Sequence, residues 1–501
     1  MLADMLIVES GPGEVRGAVL ALGRVWEVDH FRTAAPNCLG AVYRARIAHV
    51  DRGLNAAFVE LGDGWTRHGF LRARDAGPGS QGSKSARIQQ IVQEGATIIV
   101  QIVGGNPTRT PNVGDRLVAE RVKGPSVSAG VTFKARNFDY LPNRRELGLL
   151  DIRGGNLTPV ATSVVDERLR GRLADLLQAG EGLRLTPDFA TSAADADAEP
   201  LIAELTEDLA AVRRRWHEAK DRAAALAAPG CIVEAPGPIA QILDEYAHQG
   251  LARIVVSAPS DLKAARDWAA TRMPDLVASI ELGPTGGSPF ADHEIDADIE
   301  SALSPRAEFG RGGVLLFEPG ETLTAIDVNS GGQSGKAGRQ PLDVNMDAVP
   351  EIARQIRLRA LAGPIVVDFL KMSRAADRDA VAASFVQNMA GDPAQCHVAG
   401  FSPLGHLELT RQRRKPTLAE RLEAPASPRG PSAEAACYAA LRRASTLGAP
   451  VAGLTVSVAM AELLTGPLAA AVEEAGRRVG RPLRIDTDVG LRASDYHLVE
   501  D

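Results

Sequence analysis

Three oxygen-bearing side chains in the stretch 320–372 could together hold a divalent cation: Asp327, Asn329 and Asp368. Period-2 alternation over residues 322–329 places Asp327 and Asn329 on the same face of a predicted strand. Carboxylate and amide oxygens are hard ligands that suit Mg²⁺, which usually takes one or two carboxylates and keeps several waters. A cation held there could activate a water molecule and stabilise the charge of a phosphodiester under attack.

The elements around these residues predict how the two acids meet. The strand 322–329 is followed by the glycine-rich loop SGGQSGKAG, a helical apolar stripe over 346–361, and a short apolar strand, 365–367, that leads into Asp368. A strand–helix–strand crossover normally returns the second strand parallel to the first, so both acids are expected at one edge of a sheet. One alternative stays open, because an aspartate at a strand end also commonly caps a helix or turn.

Three stretches around these residues resemble the catalytic core of the ribonuclease E/G family: AIDVNSG, PEIARQIRLRALAGPIVVDF and LGHLELTRQRRKPTL. The resemblance is to a short form of the family, and it extends more weakly along the whole chain. It implies a Mg²⁺-dependent endoribonuclease of RNA processing or decay, which cleaves single-stranded RNA with metal-activated water and leaves 5′-phosphate and 3′-hydroxyl ends. It also implies that Asp327 and Asp368 bind one Mg²⁺ per active site and that Asn329 supports one of them.

A series of short strands between residues 37 and 122 predicts a small OB-type barrel. The stretches GAVYRARIAHVDRGLNAAFVELG and RHGFL resemble the S1 RNA-binding domain of the family. Phe58 falls on the polar face of its strand, so we interpret it as a stacking platform for a base, with Phe70 as a second; each stack contributes about 1–3 kcal/mol. The alternative is that both rings belong to the barrel core. The family's RNA-contacting lysine has no clear match, and the corresponding loop offers only Arg109.

Basic residues follow both ends of the predicted acid site. Lys371 and Arg374 come shortly after Asp368 and are predicted to contact the scissile phosphate or its neighbours. A second basic cluster is predicted to clamp the RNA backbone, the alternative being a solvated helix end. Its members are Arg411, Arg413, Arg414 and Lys415.

Segment 123–227 corresponds to the part of the family that senses a 5′-monophosphate through an arginine–threonine pair. Neither Thr186 nor Thr191 is directly preceded by arginine, and an acidic run follows them that would repel a phosphate. We therefore expect weak or absent sensing of the 5′ end.

The four cysteines are scattered without a Cys-x-x-Cys pair, which argues against a disulfide framework and a thiolate zinc site. Larger enzymes of the family share zinc between two chains through a Cys-Pro-x-Cys motif. The corresponding stretch here reads LEAPASPRGPSAEAAC, so no zinc is expected. The resemblance implies a homodimer, formed through the C-terminal domain without that metal.

Composition limits the classes of partner. The net charge of −7 over 501 residues gives no global positive field, so any RNA must be held by local basic surfaces. The partner implied by the resemblance is single-stranded RNA, either an rRNA precursor or mRNA. No segment approaches the roughly 18 consecutive apolar residues of a membrane span, and the start of the sequence lacks an export signal. A cytoplasmic protein without a membrane span is expected.

The predicted fold is multidomain, with α/β and α+β parts. An RNase H-like module, into which the S1 (OB-fold) and sensor-like regions are inserted, precedes a DNase I-like catalytic domain and a small α+β C-terminal domain. The expected segments, in chain order, are the N-terminal strands of the RNase H-like module (1–36), the S1 domain (37–122), the sensor-like region (123–227), the rest of the RNase H-like module (228–285), the catalytic domain (286–421), a linker (422–432) and the C-terminal domain (433–501).

Two other functions stay open. A non-catalytic RNA-binding or ribosome-associated protein with a degenerate nuclease fold is the main alternative to an enzyme. A structure-maintaining DNA nuclease is a third possibility that rests on fold analogy alone.

Overall fold

The computed structural model describes most of the chain, and its gaps lie chiefly between residues 105 and 197. The described residues are 3–32, 38–62, 68–76, 87–104, 126–129, 133–134, 138–141, 167–178, 180–185, 198–248, 251–284, 287–320, 322–331, 340–390, 392–424 and 427–500. They form a mixed α/β structure with several sheets, in agreement with the predicted class. None of the described helices is long and apolar enough to cross a membrane.

The strands are numbered in chain order. Those in the first half are β1 Met5–Gly11, β2 Glu14–Ala21, β3 Arg24–Arg32, β4 Val42–Asp51, β5 Ala56–Glu60, β6 Gly69–Arg72, β7 Thr97–Gly104, β8 Ser126–Ser128, β9 Phe133–Lys134, β10 Phe138–Leu141, β11 Gly182–Leu185 and β12 Gly230–Val233. Those in the second half are β13 Arg253–Val256, β14 Ile280–Leu282, β15 Arg306–Phe309, β16 Gly313–Pro319, β17 Thr324–Asn329, β18 Gly363–Asp368, β19 Cys396–Phe401, β20 Leu407–Arg411, β21 Glu423–Ala424, β22 Ser427–Pro431, β23 Val451–Val456, β24 Arg484–Thr487 and β25 Tyr496–Glu500.

The helices are named by their bounds. They are Ala73–Ala76, Ile88–Ile91, Glu167–Asp175, Ala198–Ala225, Pro238–Tyr246, Pro259–Arg272, Pro289–Asp292, Ile295–Leu303, Pro341–Leu358, Ala375–Met389, Leu418–Leu422, Ala433–Leu447, Val458–Thr465 and Ala469–Val479, with a 3₁₀ helix at Pro274–Ser279.

The chain divides into two compact units. The first comprises Met1–Ala34, Ile242–Asp267 and Asp275–Asp501, and the second comprises Ala35–Gln241 and Trp268–Pro274. In the first unit, a five-stranded sheet has the order β14-β13-β1-β2-β3. The N-terminal strands join a strand from much later in the chain, because β1 pairs in parallel with β13; this pairing agrees with the prediction that segments 1–36 and 228–285 belong to one module.

The second unit contains a small barrel. Strands β4, β5, β6, β8 and β7 follow one another around it, and an antiparallel pairing of β4 with β7 closes the ring. Its core is built from alternate apolar residues such as Ile47, Val59 and Val100. The last part of the segment predicted to form these strands, 105–122, lies outside the described residues, and β8 supplies the fifth strand of the ring.

The acid site lies on a second sheet of the first unit, with the order β15-β16-β17-β18-β20-β19. The helix Pro341–Leu358 connects β17 to β18, and the two strands are parallel, which confirms the predicted crossover. The helix packs on one face of the sheet, where Ile352 and Ile356 share a core with Ile326 and Val367. It begins earlier than the apolar stripe indicated, since proline is favourable at the first helical position, which Pro341 occupies.

The segment 422–432, predicted as a linker, instead contains the antiparallel strand pair β21 and β22. Beyond it, β24, β23 and β25 form a three-stranded sheet with helices packed around it, as expected for a small α+β part. Cys437 is fully buried in the core of this part. Burial raises the pKa of its thiol to about 12, so the thiol stays protonated and is a poor metal ligand.

One buried ion pair joins the second sheet to the turn after the helix Ala375–Met389. Arg411 is 6% exposed, and its Nε and Nη2 donate to Asp392 Oδ2 and Oδ1 at 2.7 and 2.8 Å. Its Nη1 also donates to the Leu361 carbonyl at 2.9 Å. Arg411 was predicted to contact RNA, and this interpretation is wrong because the guanidinium is enclosed and fully used within the protein.

Replacing Arg411 by Met should therefore destabilise the first unit. The change leaves the Asp392 carboxylate buried without its partner, which costs about 3–5 kcal/mol. Urea unfolding followed by circular dichroism measures the loss. The matched control is Arg413→Met, whose side chain is 58% exposed and pairs with Glu420 at the surface, so a change of less than about 1 kcal/mol is expected. Equal losses in the two variants would contradict the structural role of Arg411.

A close backbone approach fixes the chain immediately after β17. Gly331 has φ of +66°, and a Cβ on it would lie 1.9 Å from the carbonyl oxygen of Gly312. Gly23 has a similar φ of +70° but no atom within 4 Å of its Cβ position. The two glycines therefore separate the cost of the left-handed conformation from the cost of the clash.

Gly331→Ala should lower the unfolding midpoint more than Gly23→Ala. Both variants place alanine in the left-handed region, at about 1 kcal/mol each, but only the first forces β17 and the 310–313 turn apart. Urea titrations of the two variants beside the parent chain compare the midpoints. If the two shifts were equal, the close approach at Gly331 would not constrain this turn.

Candidate functional site

The centre of the site is a pair of aspartates on adjacent strands. Asp327 on β17 lies directly opposite Asp368 on β18 in the parallel register, with neighbouring strands about 4.8 Å apart. Ile326 and Val367 are buried, while Asp327 and Asp368 are exposed, so both acids lie on the face away from the crossover helix. Two like charges are thus held side by side at the surface of the sheet.

These carboxylates fit a hard dication. Within the described ranges, no arginine or lysine forms an ion pair with Asp327 or Asp368. No group of three or more His, Cys, Asp or Glu side chains in the described part of the chain is arranged to hold a metal ion. The described residues therefore offer two carboxylates here, which fits Mg²⁺ because this ion usually takes one or two carboxylates and keeps several waters.

Asn329 occupies the same exposed face, two residues beyond Asp327. Its Oδ1 accepts a hydrogen bond from the Gly331 N–H at 3.0 Å and so forms the turn after β17. The amide NH₂ is left to donate to a neighbouring oxygen. Among the hydrogen bonds of the described residues, none runs from a backbone N–H to Asp327 or Asp368, so the structure gives no support for a capping role of the acids.

A third group, which the sequence did not indicate, borders the acid pair. His406 ends the loop between β19 and β20, and its Nδ1 lies 3.2 Å from Asp368 Oδ1. It stands in the stretch LGHLEL, which was singled out only for its resemblance to the family. Its position depends on β20 pairing with β18, and nothing in the local sequence reveals that pairing.

Two of the predicted basic residues lie just after Asp368. Lys371 and Arg374 are both exposed, and Arg374 is the residue preceding the helix Ala375–Met389. In the part of the chain that the structure describes, neither forms an ion pair with an acid. Both side chains are accessible to a phosphate, and their contact with it stays a prediction.

The predicted basic clamp is mostly occupied by contacts within the protein. Lys415 Nζ lies 2.7 Å from Asp29 Oδ1 and 2.9 Å from the Tyr246 hydroxyl, so its assignment to RNA is not supported. Arg414 Nη1 donates to the Pro393 carbonyl at 2.7 Å, although its side chain is 40% exposed. With Arg411 buried, only Arg413 and Arg414 retain substantial exposure in this cluster.

The interior acid near Lys415 is ionised. Burial by itself would raise the pKa of Glu27, but Arg357, Lys415 and Arg411 outweigh it and lower the pKa to about 2. Arg357 makes the closest of these contacts, at 2.7 Å. Lys415 is therefore part of a charge network inside the first unit, which explains why a basic residue in this stretch does not indicate RNA binding.

The barrel presents one partly open aromatic ring. Phe58 is half-buried and lies between His49, whose ring is stacked at 6.5 Å, and Phe70, whose ring meets it edge-on at 5.7 Å. Phe70 is only 6% exposed, so its interpretation as a second stacking platform is not supported; it supports the Phe58 ring instead. Arg109, Thr186 and Thr191 lie outside the described residues.

Comparison with known proteins identifies the family. A sequence model of the ribonuclease E/G family matches residues 157–414, just over half of the chain and the part that includes the acid pair.

Individual relatives extend this match. The chain is 30% identical over 383 residues to ribonuclease E of Nostoc sp. (strain PCC 7120 / SAG 25.82 / UTEX 2576), a match that covers 75% of this chain and 51% of that protein, so the chain spans about half its length. It is 27% identical over 427 residues to ribonuclease G of Escherichia coli (strain K12), covering 82% and 80% of the two chains. It is 26% identical over 517 residues to ribonuclease G of Salmonella typhimurium (strain SL1344), covering 99% of each. This chain belongs to the ribonuclease E/G family.

Proposed function

We propose that this chain is a Mg²⁺-dependent endoribonuclease that cleaves single-stranded RNA, such as an rRNA precursor or mRNA, in RNA processing or decay. The observation that carries the proposal is the parallel register that sets Asp327 opposite Asp368 on an exposed sheet face. Membership of a family whose matched relatives are named ribonuclease E and ribonuclease G supports it. The expected segments, with an RNase H-like and a DNase I-like fold, are part of the same proposal.

Each residue of the site has a proposed role. Asp327 and Asp368 hold the cation, and the Asn329 amide donates to the oxygen of one of them. When bound, Mg²⁺ activates the attacking water and stabilises the charge of the phosphodiester, and the products carry 5′-phosphate and 3′-hydroxyl ends. Lys371 and Arg374 follow Asp368 closely in the chain and orient the phosphate that is to be cleaved.

RNA is held mainly through local contacts. The net charge of −7 rules out a strong global attraction between the protein and RNA. Phe58 on the barrel and the exposed guanidinium groups of Arg413 and Arg414 therefore contribute a larger share of the RNA-binding free energy. The basic cluster after β20 provides fewer phosphate contacts than its four charges indicate. A shallow dependence of RNA affinity on salt follows from this.

We further propose a homodimer without a zinc link. The buried Cys437 is the first cysteine after the acid site's sheet, and its protonated thiol packs against Met460. A thiol in such surroundings does not bridge two chains through a metal.

A second candidate is a non-catalytic RNA-binding or ribosome-associated protein. The observation that favours it is the loss of Arg411 and Lys415 to internal contacts. It predicts RNA that is bound and left intact.

RNA cleavage should depend on the metal and on both acids. We expect cleavage of a fluorescent single-stranded RNA in Mg²⁺, none in EDTA, and a loss of at least about 100-fold in Asp327→Asn and Asp368→Asn, because the cation contributes several kcal/mol. Glu318→Gln is the matched control, an exposed acid on β16 of the same sheet, and should cut normally. Intact RNA with the parent chain in Mg²⁺, despite binding, would leave only the second candidate.

The barrel prediction concerns Phe58. Phe58→Ala should weaken the binding of single-stranded RNA by about 1–3 kcal/mol because one base loses its stacking partner. Phe58→Tyr, which keeps the ring, should bind nearly as the parent does. Fluorescence anisotropy in EDTA measures binding without cleavage. Leu54→Ala is the control, an exposed apolar residue of the same barrel, and an equal loss in this variant would contradict a specific role for Phe58.

A further inference from the structure

The imidazole of His406 lies beside Asp368, on the side away from Asp327. β18 runs between β17 and β20, and the antiparallel pairing of Val367 with Leu407 brings the residue before Leu407 next to Asp368. Asp368 therefore has a carboxylate on one side and a histidine on the other.

The ring nitrogen nearest Asp368 has no hydrogen-bond partner in the described structure. His406 Nδ1 is buried, although the side chain as a whole is 35% exposed. Among the described residues, this nitrogen has no hydrogen-bond partner, and Asp368 Oδ1 lies within reach of it at 3.2 Å. A buried ring nitrogen without a partner is costly, and a donor at Nδ1 would be satisfied by this carboxylate after a small rotation of either side chain.

The backbone around His406 is fixed before any ligand arrives. The Ser402 N–H donates to the His406 carbonyl at 2.9 Å, and the Gly405 N–H donates to the Ser402 carbonyl at 2.9 Å. The strand β20 starts at the next residue, so the imidazole is held by a short closed loop and a paired strand.

We propose that His406 is a positioning residue for Asp368. Its imidazole donates from Nδ1 to Asp368 Oδ1, which fixes the carboxylate and leaves the second oxygen for the cation. This inference rests on the proposed function of the acid pair. The side chain of Asp368 is 60% exposed and would otherwise lose rotamer freedom on binding a cation, so fixing it in advance strengthens binding. Partners that orient a ligating carboxylate typically contribute 10- to 100-fold to metal affinity.

The test is the affinity of the full chain for Mn²⁺, a spectroscopic substitute for Mg²⁺ whose free form is counted by electron paramagnetic resonance. His406→Leu should weaken Mn²⁺ binding about 10- to 100-fold. His406→Asn carries an amide nitrogen at the δ position and should recover most of the affinity. Leu404→Ala, an exposed apolar residue of the same loop, should bind as the parent does.

Each outcome decides the proposal. If Asp368→Asn loses the ion while His406→Leu keeps it, His406 has no positioning role and the proposed function stands. If His406→Leu and Leu404→Ala weaken binding equally, the loop matters and the imidazole does not. If the parent chain and Asp368→Asn bind Mn²⁺ equally, the metal site of the proposed function fails, and the role of His406 fails with it. Thermal unfolding of each variant without metal confirms that the fold is kept.

Discussion

The site depends on one constraint, the parallel register of β17 and β18. Side chains alternate between the two faces of a strand, so a slip of one residue would turn Asp368 into the apolar core and Val367 out to solvent. The apolar residues of both strands pack under the crossover helix and exclude that slip. Like charges directly opposite one another are unfavourable, so the core must hold the two acids together against their repulsion.

The crossover helix is in turn fixed from its other side by buried charge. Arg357 pairs with Glu27 on β3 at 2.7 Å, and Arg354 donates to the Val25 carbonyl at 2.8 Å. Buried ion pairs add little net stability because desolvation offsets their attraction, but their geometry is specific. These contacts tie the helix to the first sheet, and the position of the acid pair therefore depends on residues far from it in the sequence.

Local sequence patterns predicted the strands and the helix that carry the acid pair. The alternation around Asp327, the apolar stripe of the helix and the short strand before Asp368 were sufficient to predict the parallel crossover, which the structure confirms. The residues that were wrongly assigned to RNA binding have a different explanation. Arg411 and Lys415 are basic in the sequence, but their partners, Asp392 and Asp29, are revealed only by the fold. His406 was missed for the same reason, since a strand pairing sets its neighbour.

The central claim is that two acids from separate strands hold one divalent cation between them. Anomalous diffraction from crystals of the chain soaked in Mn²⁺ tests it most directly, because the signal locates the ion without reference to activity. A single strong peak within bonding distance of both Asp327 and Asp368 is the predicted result. Side chains that point apart, with no anomalous peak between them at saturating Mn²⁺, would contradict it.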